Sequence, residues 1–499
     1  MFFLLLLACK DSPDDSAAPV DADGDGWIAT EDCDDLDPRR YPEAEERCGD
    51  GVVNPCGGSE AEATDLCAWP SSLDDADATL LGDAAHDAAG TQVRLAADVD
   101  GDALADLLVA APHDRTFATR GGVLHVVGGA VSGEQVLDGP DAQLYYGDAY
   151  EFPLAFAGLG DLDGDGLGDL AVTTAEEGLD WHVRLLSGPF SGDIEVEGNA
   201  SGDIVTSDKP SELGWSIDGA DLDGDGAVDL VLGDPAQTFA GDDSGGAFVV
   251  FGHLSGTIYA EDYTVFAGTR AGARAGEAVA VVGDVNGDGS LDVMVGAPHD
   301  GLAGEDAGAA VLVAGPVLPH FHHQLDAPAP VLRGAQPGAL LGRALGQGGD
   351  VDGDGYGESL IAAAAGGTGA LDAGAVYVVE GEGVGDPSDA VASLIGEEGQ
   401  DLGHFLCGAG DLDGDGHGDL AVSGPGGTVL LYYGPLVGVF GAADADHTFT
   451  GEGGDGSGPL GCGLDLSGDG RPDLLVGRPG FAGRAEGAGG AALLLAPGY

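Results

Sequence analysis

Seven short stretches of this chain carry oxygen-bearing side chains at a spacing suited to gripping a cation. The fullest reads Asp-Leu-Asp-Gly-Asp-Gly-Leu-Gly-Asp and places carboxylates at Asp161, Asp163, Asp165 and Asp169. It recurs with Asp221, Asp223, Asp225 and Asp229, and again with Asp411, Asp413, Asp415 and Asp419. Looser copies are Asp98, Asp100, Asp102 and Asp106; Asp284, Asn286, Asp288 and Asp292; Asp350, Asp352, Asp354 and Glu358; and Asp465, Ser467, Asp469 and Asp473. Calcium takes roughly 6–8 oxygens at about 2.3–2.6 Å. Acids at positions 1, 3 and 5 of such a loop converge if the chain curls tightly, and position 9 closes the shell. Glycines at positions 4 and 6 permit the curl. Ala103 replaces the second of them in the first copy, and Ser467 is a weaker donor in the last. The competing reading of each loop is a plain polar turn.

An EF-hand would need a bidentate Glu at position 12. That position holds Val109, Val172, Leu232, Val295, Ile361, Val422 and Val476, so the loops sit between strands instead. The copies begin 63, 60, 63, 66, 61 and 54 residues apart and fill the chain from about residue 73 to its end. Each is followed by an apolar run such as Leu170-Ala171-Val172, then by a turn and a second run, led by Gly in six of the seven units, such as Gly246 to Phe251. A shorter run lies upstream of each loop, for example Thr264 to Gly268. Short strands separated by turns, without helical periodicity, predict an all-β fold. Units of about 60 residues are the size of a propeller blade. The expectation is a seven-bladed β-propeller over 73–499 with a small Cys/Asp-rich module before it, a β-solenoid being the alternative.

The charge balance supports the metal reading. There are 16 basic and 88 acidic residues, a formal net charge of −72, and 26 of the acids fall in the seven loops. Such a chain is a poor partner for nucleic acid or an anionic membrane surface. Codon bias or salt adaptation would add acids without placing them in register.

The loops and their flanks resemble the FG-GAP repeats of integrin α-subunit propellers. The "GAP" element is literal at Gly296-Ala297-Pro298 and near-literal at Ala110-Ala111-Pro112, Gly233-Asp234-Pro235 and Gly477-Arg478-Pro479. The "FG" element is represented by Leu213-Gly214, Leu341-Gly342 and Leu402-Gly403. The resemblance covers about 73 to 499. It implies a seven-bladed propeller with several Ca²⁺ ions in blade hairpins and extracellular recognition of proteins or glycans.

The segment before the repeats divides into three. Residues 1–9 hold an apolar run ending Leu6-Leu7-Ala8-Cys9, which resembles the lipobox of bacterial lipoproteins, although no Lys or Arg precedes it. That resemblance implies export and a lipid anchor at Cys9, the alternative being an unprocessed apolar N-terminus. Residues 10–20 read as a tether. Residues 21–72 form an Asp/Cys-rich module with Asp21, Asp23, Asp25 and Asp32 as candidate ligands. It resembles the metal-binding repeats of myxobacterial surface proteins. Cys33, Cys48, Cys56 and Cys67 are expected in two disulfides, with three pairings open. Cys407 and Cys462 precede the loops of neighbouring units, and either pair across blades or remain buried thiols.

These features point to an exported, calcium-binding recognition or adhesion module at the cell surface or outer membrane, or secreted. It is expected to be monomeric and not an enzyme. The alternative is a propeller enzyme acting on polysaccharide. The sequence carries no Gly-x-Ser-x-Gly or His-Glu-x-x-His motif, and His320-Phe321-His322-His323 reads as an exposed loop rather than a metal site. The loops opposite the acidic ones would present His113, Arg115, Phe117, Arg120, Trp181 and His299 to a ligand.

Overall fold

The computed structural model describes residues 69–495, except 71, 83–85, 118–120, 130, 138–141, 147–154, 177–179, 208–210, 253, 326–330, 365–372, 382–384, 426, 452–457, 469 and 482–488. The lipobox-like segment, the Asp/Cys-rich module with Asp21, Asp23, Asp25 and Asp32, its four cysteines, Arg120 and Asp469 lie outside the described residues. The compact unit that contains the repeats runs from Trp69 to Ala496.

It is all-β, with seven sheets each built on one acidic loop. Blade 1 shows the pattern. Its inner strand Val93–Ala96 pairs antiparallel with Asp106–Ala111, which pairs with Val123–Val127, which pairs with Ala142–Tyr145. The second strand of a blade is buried along its whole length, as in Asp106–Ala111, Asp229–Asp234, Asp292–Ala297 and Glu358–Ala363. Neighbouring blades cover it on both faces, so its sequence is a continuous apolar run rather than an alternating one. The core is correspondingly divided into layers between blades. Leu108 and Val126 of blade 1, for example, pack with Leu170 and Val172 of blade 2. The residues at loop position 12 are at most 1% exposed, confirming that they are strand core rather than ligands.

Inner strands crowd around a channel of about 620 Å³, where Arg94 and Asp218 stand opposite glycine-rich backbone. The crowding accounts for sequences such as Leu345–Gly349 (LGQGG) and Leu406–Gly410 (LCGAG). A methyl on Gly408 would stand 2.3 Å from the Gln347 carbonyl oxygen of the adjacent blade. Asp218 accepts from the Val281 amide at 2.8 Å and ties the inner strands of blades 3 and 4 together.

Two features of the ring depart from the sequence units. First, unit and blade are offset by one strand. Thr264–Ala267, expected to run into the fourth loop, is the outer strand of blade 3, and the strand that enters that loop is Ala278–Gly283. The ring therefore closes in blade 7 by mixing both ends of the unit. Leu460–Leu464, Asp473–Gly477 and Gly490–Leu494 come from the C-terminal part, and the outer strand is Ala78–Leu81. Second, the excursion between the third and fourth strands of a blade can reach back and add a parallel strand to the preceding blade. Gly192–Glu195, Gly256–Tyr259, His322–Gln324, Gly438–Phe440 and Gly133–Val136 all do this. The histidine cluster is thus partly strand, not simply a loop, with His322 and His323 on the edge of blade 3.

Candidate functional site

Each acidic loop joins the inner strand to the second strand of its blade. The loop is held by its own backbone. In blade 2, Asp161 accepts the amides of Gly164 (2.6 Å) and Gly166 (2.8 Å), Asp163 accepts that of Asp165, and Asp165 accepts that of Leu167. These donors, Gly166 foremost, hold the Asp161 carboxyl below its ordinary pKa. The same pattern recurs around Asp221, Asp223 and Asp225, around Asp284, Asn286 and Asp288, and around Asp411, Asp413 and Asp415. It also holds Asp98, Asp100 and Asp102 in blade 1, and Asp350, Asp352 and Asp354 in blade 5. In blade 7, Asp465 accepts from Gly468 and Gly470, and the Ser467 hydroxyl donates back to Asp465 at 3.2 Å.

The acid at position 9 opens the second strand and is buried in every blade. Asp106, Asp169, Asp229, Asp292, Glu358 and Asp419 are fully buried and Asp473 is 1% exposed. Each accepts the amide of loop position 2, for instance Leu162 to Asp169 at 2.7 Å. In blades 2, 3, 4 and 6 the other oxygen accepts a glycine amide beyond the third strand, from Gly188, Gly252, Gly315 and Gly434. Burial pushes Asp169 and Asp292 up, and carries Asp106 to about 7, Asp229 to about 6, Glu358 to about 8 and Asp419 to about 7, with the neighbouring loop acids adding to the shift. A buried carboxylate facing other carboxylates is costly without a proton or a cation.

Ligand atoms of Asp98, Asp100 and Asp106 lie within 4.8 Å of one another, as do those of Asp161, Asp163 and Asp169, of Asp221, Asp223 and Asp225, and of Asp350, Asp352 and Glu358. In blades 1 and 5 the position-9 acid has a buried oxygen without a hydrogen-bond partner, Oδ1 of Asp106 and Oε1 of Glu358. Such an oxygen suits a hard cation, so the residues fit calcium. One acid escaped the sequence reading. Glu380 ends the third strand of blade 5 opposite Glu358, and its carboxylate falls within 4.8 Å of Asp352 and Asp354.

The loops also touch one another around the ring through position 7. Leu167, Tyr356, His417 and Arg471 each lie over the position-4 glycine of the preceding loop: Gly101, Gly287, Gly353 and Gly414. Glycine at position 4 therefore answers to a neighbour as well as to its own positive φ.

On the opposite face, Phe117 stacks on Tyr145 with centroids 4.3 Å apart, and Trp181 stacks on Trp215 at 5.8 Å. Arg274 caps Trp215 at 5.3 Å while pairing with Glu212 and Glu277. His299 contacts Asp306 at 3.0 Å. His113 and Arg115 lie on the same connection as Phe117, between the second and third strands of blade 1.

The FG and GAP elements bond within each blade. The amide of Gly214 donates to the Gly233 carbonyl at 2.8 Å, and that of Gly403 to Ser423 at 2.8 Å. Leu213, Leu341 and Leu402 beside these glycines are fully buried. An all-β ring of seven such units, each with an acidic hairpin, is a seven-bladed β-propeller. Residues 275–313 match the FG-GAP repeat family model. The chain is similar to integrin alpha-IIb of Homo sapiens, with 34% identity over 160 residues, which is 32% of this chain and 15% of that protein. It is similar to integrin alpha-PS5 of Drosophila melanogaster, with 33% identity over 158 residues, 30% of this chain and 15% of that protein. It is similar to integrin alpha-5 of Xenopus laevis, with 30% identity over 243 residues, 46% and 21% of the two chains. The matches thus span only about a fifth or less of the relatives' own lengths. Among the described residues, no helix is long and apolar enough to cross a membrane.

Proposed function

We propose that the chain is an exported, calcium-loaded propeller that acts as a recognition or adhesion module for a protein or glycan ligand. The observation that carries this reading is the buried position-9 carboxylate, repeated in all seven blades at the focus of an acidic loop. Similarity to integrin alpha subunits supports recognition over chemistry. Calcium is structural in this scheme. It neutralises each loop and fastens the inner strand to the second strand, which leaves the opposite face, with Phe117, Trp181 and His299, as the ligand surface. Secretion or a lipid anchor at Cys9 would put that face outside the cell.

The test is a screen of the purified chain against arrays of glycans and surface proteins, in calcium and in chelator. Binding that needs calcium and is lost on Trp181→Ala, without a change in melting temperature, supports the reading. Turnover of a polysaccharide substrate, or binding that survives full chelation of a demonstrably metal-free protein, would replace it.

A further inference from the structure

Blade 5 differs from the other six at one register position. Glu358 on the second strand stands directly across from Glu380 on the third. Continuing the registers of the other blades by one residue places Gly128, Ser187, Phe251, Ala314, Tyr433 and Leu495 at the equivalent point, none of them acidic. Blade 5 therefore gathers five carboxylates where a complete loop elsewhere has four. They form two trios that share Asp352. Asp350, Asp352 and Glu358 make one, and Asp352, Asp354 and Glu380 the other, each with its ligand atoms within 4.8 Å of one another.

The hydrogen bonding of Glu358 also departs from that in blades 2, 3, 4 and 6, as does that of Asp106 in blade 1. Its Oε2 accepts the Val351 amide at 2.7 Å, as position 9 does elsewhere. Its Oε1 is buried with no partner, whereas the corresponding oxygens in blades 2, 3, 4 and 6 are taken by glycine amides. A fully buried, unpartnered carboxylate oxygen beside Asp350 and Asp352 calls for a cation. One divalent ion would leave five carboxylates with three uncompensated charges, and the second trio supplies a position for another ion.

We infer that the blade-5 loop is a paired divalent-cation site, with Asp352 bridging an inner ion held by Asp350 and Glu358 and an outer ion held by Asp354 and Glu380. The inference rests on the reading of the acidic loops as calcium sites, and goes beyond it in assigning Glu380 and a second ion. Asp354 and Glu380 are both solvent-facing, so the outer ion exchanges with solvent more readily than the inner one.

The experiment counts calcium bound per chain by equilibrium dialysis of the demetallated full-length protein, for the wild type, E380Q and E380A. A second arm compares D163N, whose blade lacks an equivalent of Glu380. Glu380 is on the surface, so both of its variants should retain the wild-type circular dichroism and a cooperative thermal transition in excess calcium. The expected result is one fewer calcium per chain for E380Q and E380A, with the remaining sites unchanged. An equal count in wild type and both Glu380 variants overturns the paired site while leaving the single-ion loops intact. A wild type that binds no calcium at all overturns the calcium reading itself, an outcome the D163N arm would share.

Discussion

Arg478 and Asp74, 404 positions apart in the chain, meet at 2.6 Å where the ring closes. The guanidinium is fully buried, lies over the Phe481 ring at 4.0 Å and donates also to the Leu73 carbonyl. Arg478 is the residue that spoils the GAP motif of the seventh unit, and its place in the closure accounts for the departure. Nearby, Trp69 donates to the Tyr433 hydroxyl at 2.8 Å, and Leu73 donates its amide to Thr450 of blade 6. The segment from Trp69 to Leu81 is thus the clasp of the ring.

Substituting Asp74→Ala strands a buried charge and should lower stability by about 2 kcal/mol or more. Deleting residues 69–81 removes the outer strand of blade 7 and should abolish cooperative melting. Thermal or urea unfolding at fixed calcium checks both. A deletion that melts like the intact chain would show that the ring does not depend on its clasp.

Without calcium, stability should fall as pH rises. The folded pKa values of Asp106, Asp229, Glu358 and Asp419 are pushed up to about 7, 6, 8 and 7 by burial, against about 4 for unfolded Asp and Glu. The folded state therefore holds more protons between about pH 4 and 8, and its advantage is full below pH 4 and lost as pH passes through the folded values. Calcium competes with those protons, so its stabilisation should grow over the same range. Melting temperatures from pH 5 to 8 should fall in chelator and stay nearly level in excess calcium, so that the two curves diverge. Parallel curves would argue that these carboxylates do not face a cation.

Ala103→Gly should stabilise the protein. Ala103 has φ +74°, in the left-handed region occupied by Gly166 (φ +92°) and Gly226 (φ +93°) in the same loop position. An L-residue there costs about 1–2 kcal/mol, partly offset by the greater freedom of Gly in the unfolded chain. The expected gain is about 0.5–1 kcal/mol in denaturant unfolding, with a matching rise in calcium affinity at that loop. A loss of stability would mean that Ala103 contributes contacts that outweigh its strain.

Cys407 and Cys462 face each other across blades 6 and 7, Cα atoms 6.2 Å apart, with the sulfurs joined in the structure. Peptide mapping of unreduced protein should recover them linked. The bridge closes a loop 55 residues apart in sequence, and chain entropy values such a loop at about 4 kcal/mol. Cys407→Ser with Cys462→Ser should lower the melting point and abolish its dependence on reductant. Two free thiols in the unfolded, unreduced chain would contradict this.

The parts of the fold that could be read from sequence are those where one physical demand dominates. Asp at loop positions 1, 3, 5 and 9 and the buried runs after them, such as Leu230-Val231-Leu232, have a single use each, and they carried the seven-fold count and the propeller. The crossing strands could not be read, because Gly192–Glu195 (GDIE) lies at an exposed edge and needs no apolar alternation. Nor could Ala78–Leu81 be assigned to blade 7, since pairing with Gly490–Leu494 is set by ring closure and not by any local pattern. Glu380 belongs to no loop spacing, and only its register with Glu358 reveals it.

The clasp also decides how the molecule would respond to being pulled. Tension arriving through residues before Trp69 meets the Trp69 and Leu73 contacts with Tyr433 and Thr450 first and then Ala78–Leu81, a strand gripped on both sides, antiparallel by Gly490–Leu494 and parallel by Gly133–Val136. Drawn along its own axis, such a strand must shear both ladders together instead of peeling one bond at a time. The place where a tether would attach is therefore a mechanically reinforced one, and a pull there is shared among blade 6, blade 7 and the excursion of blade 1.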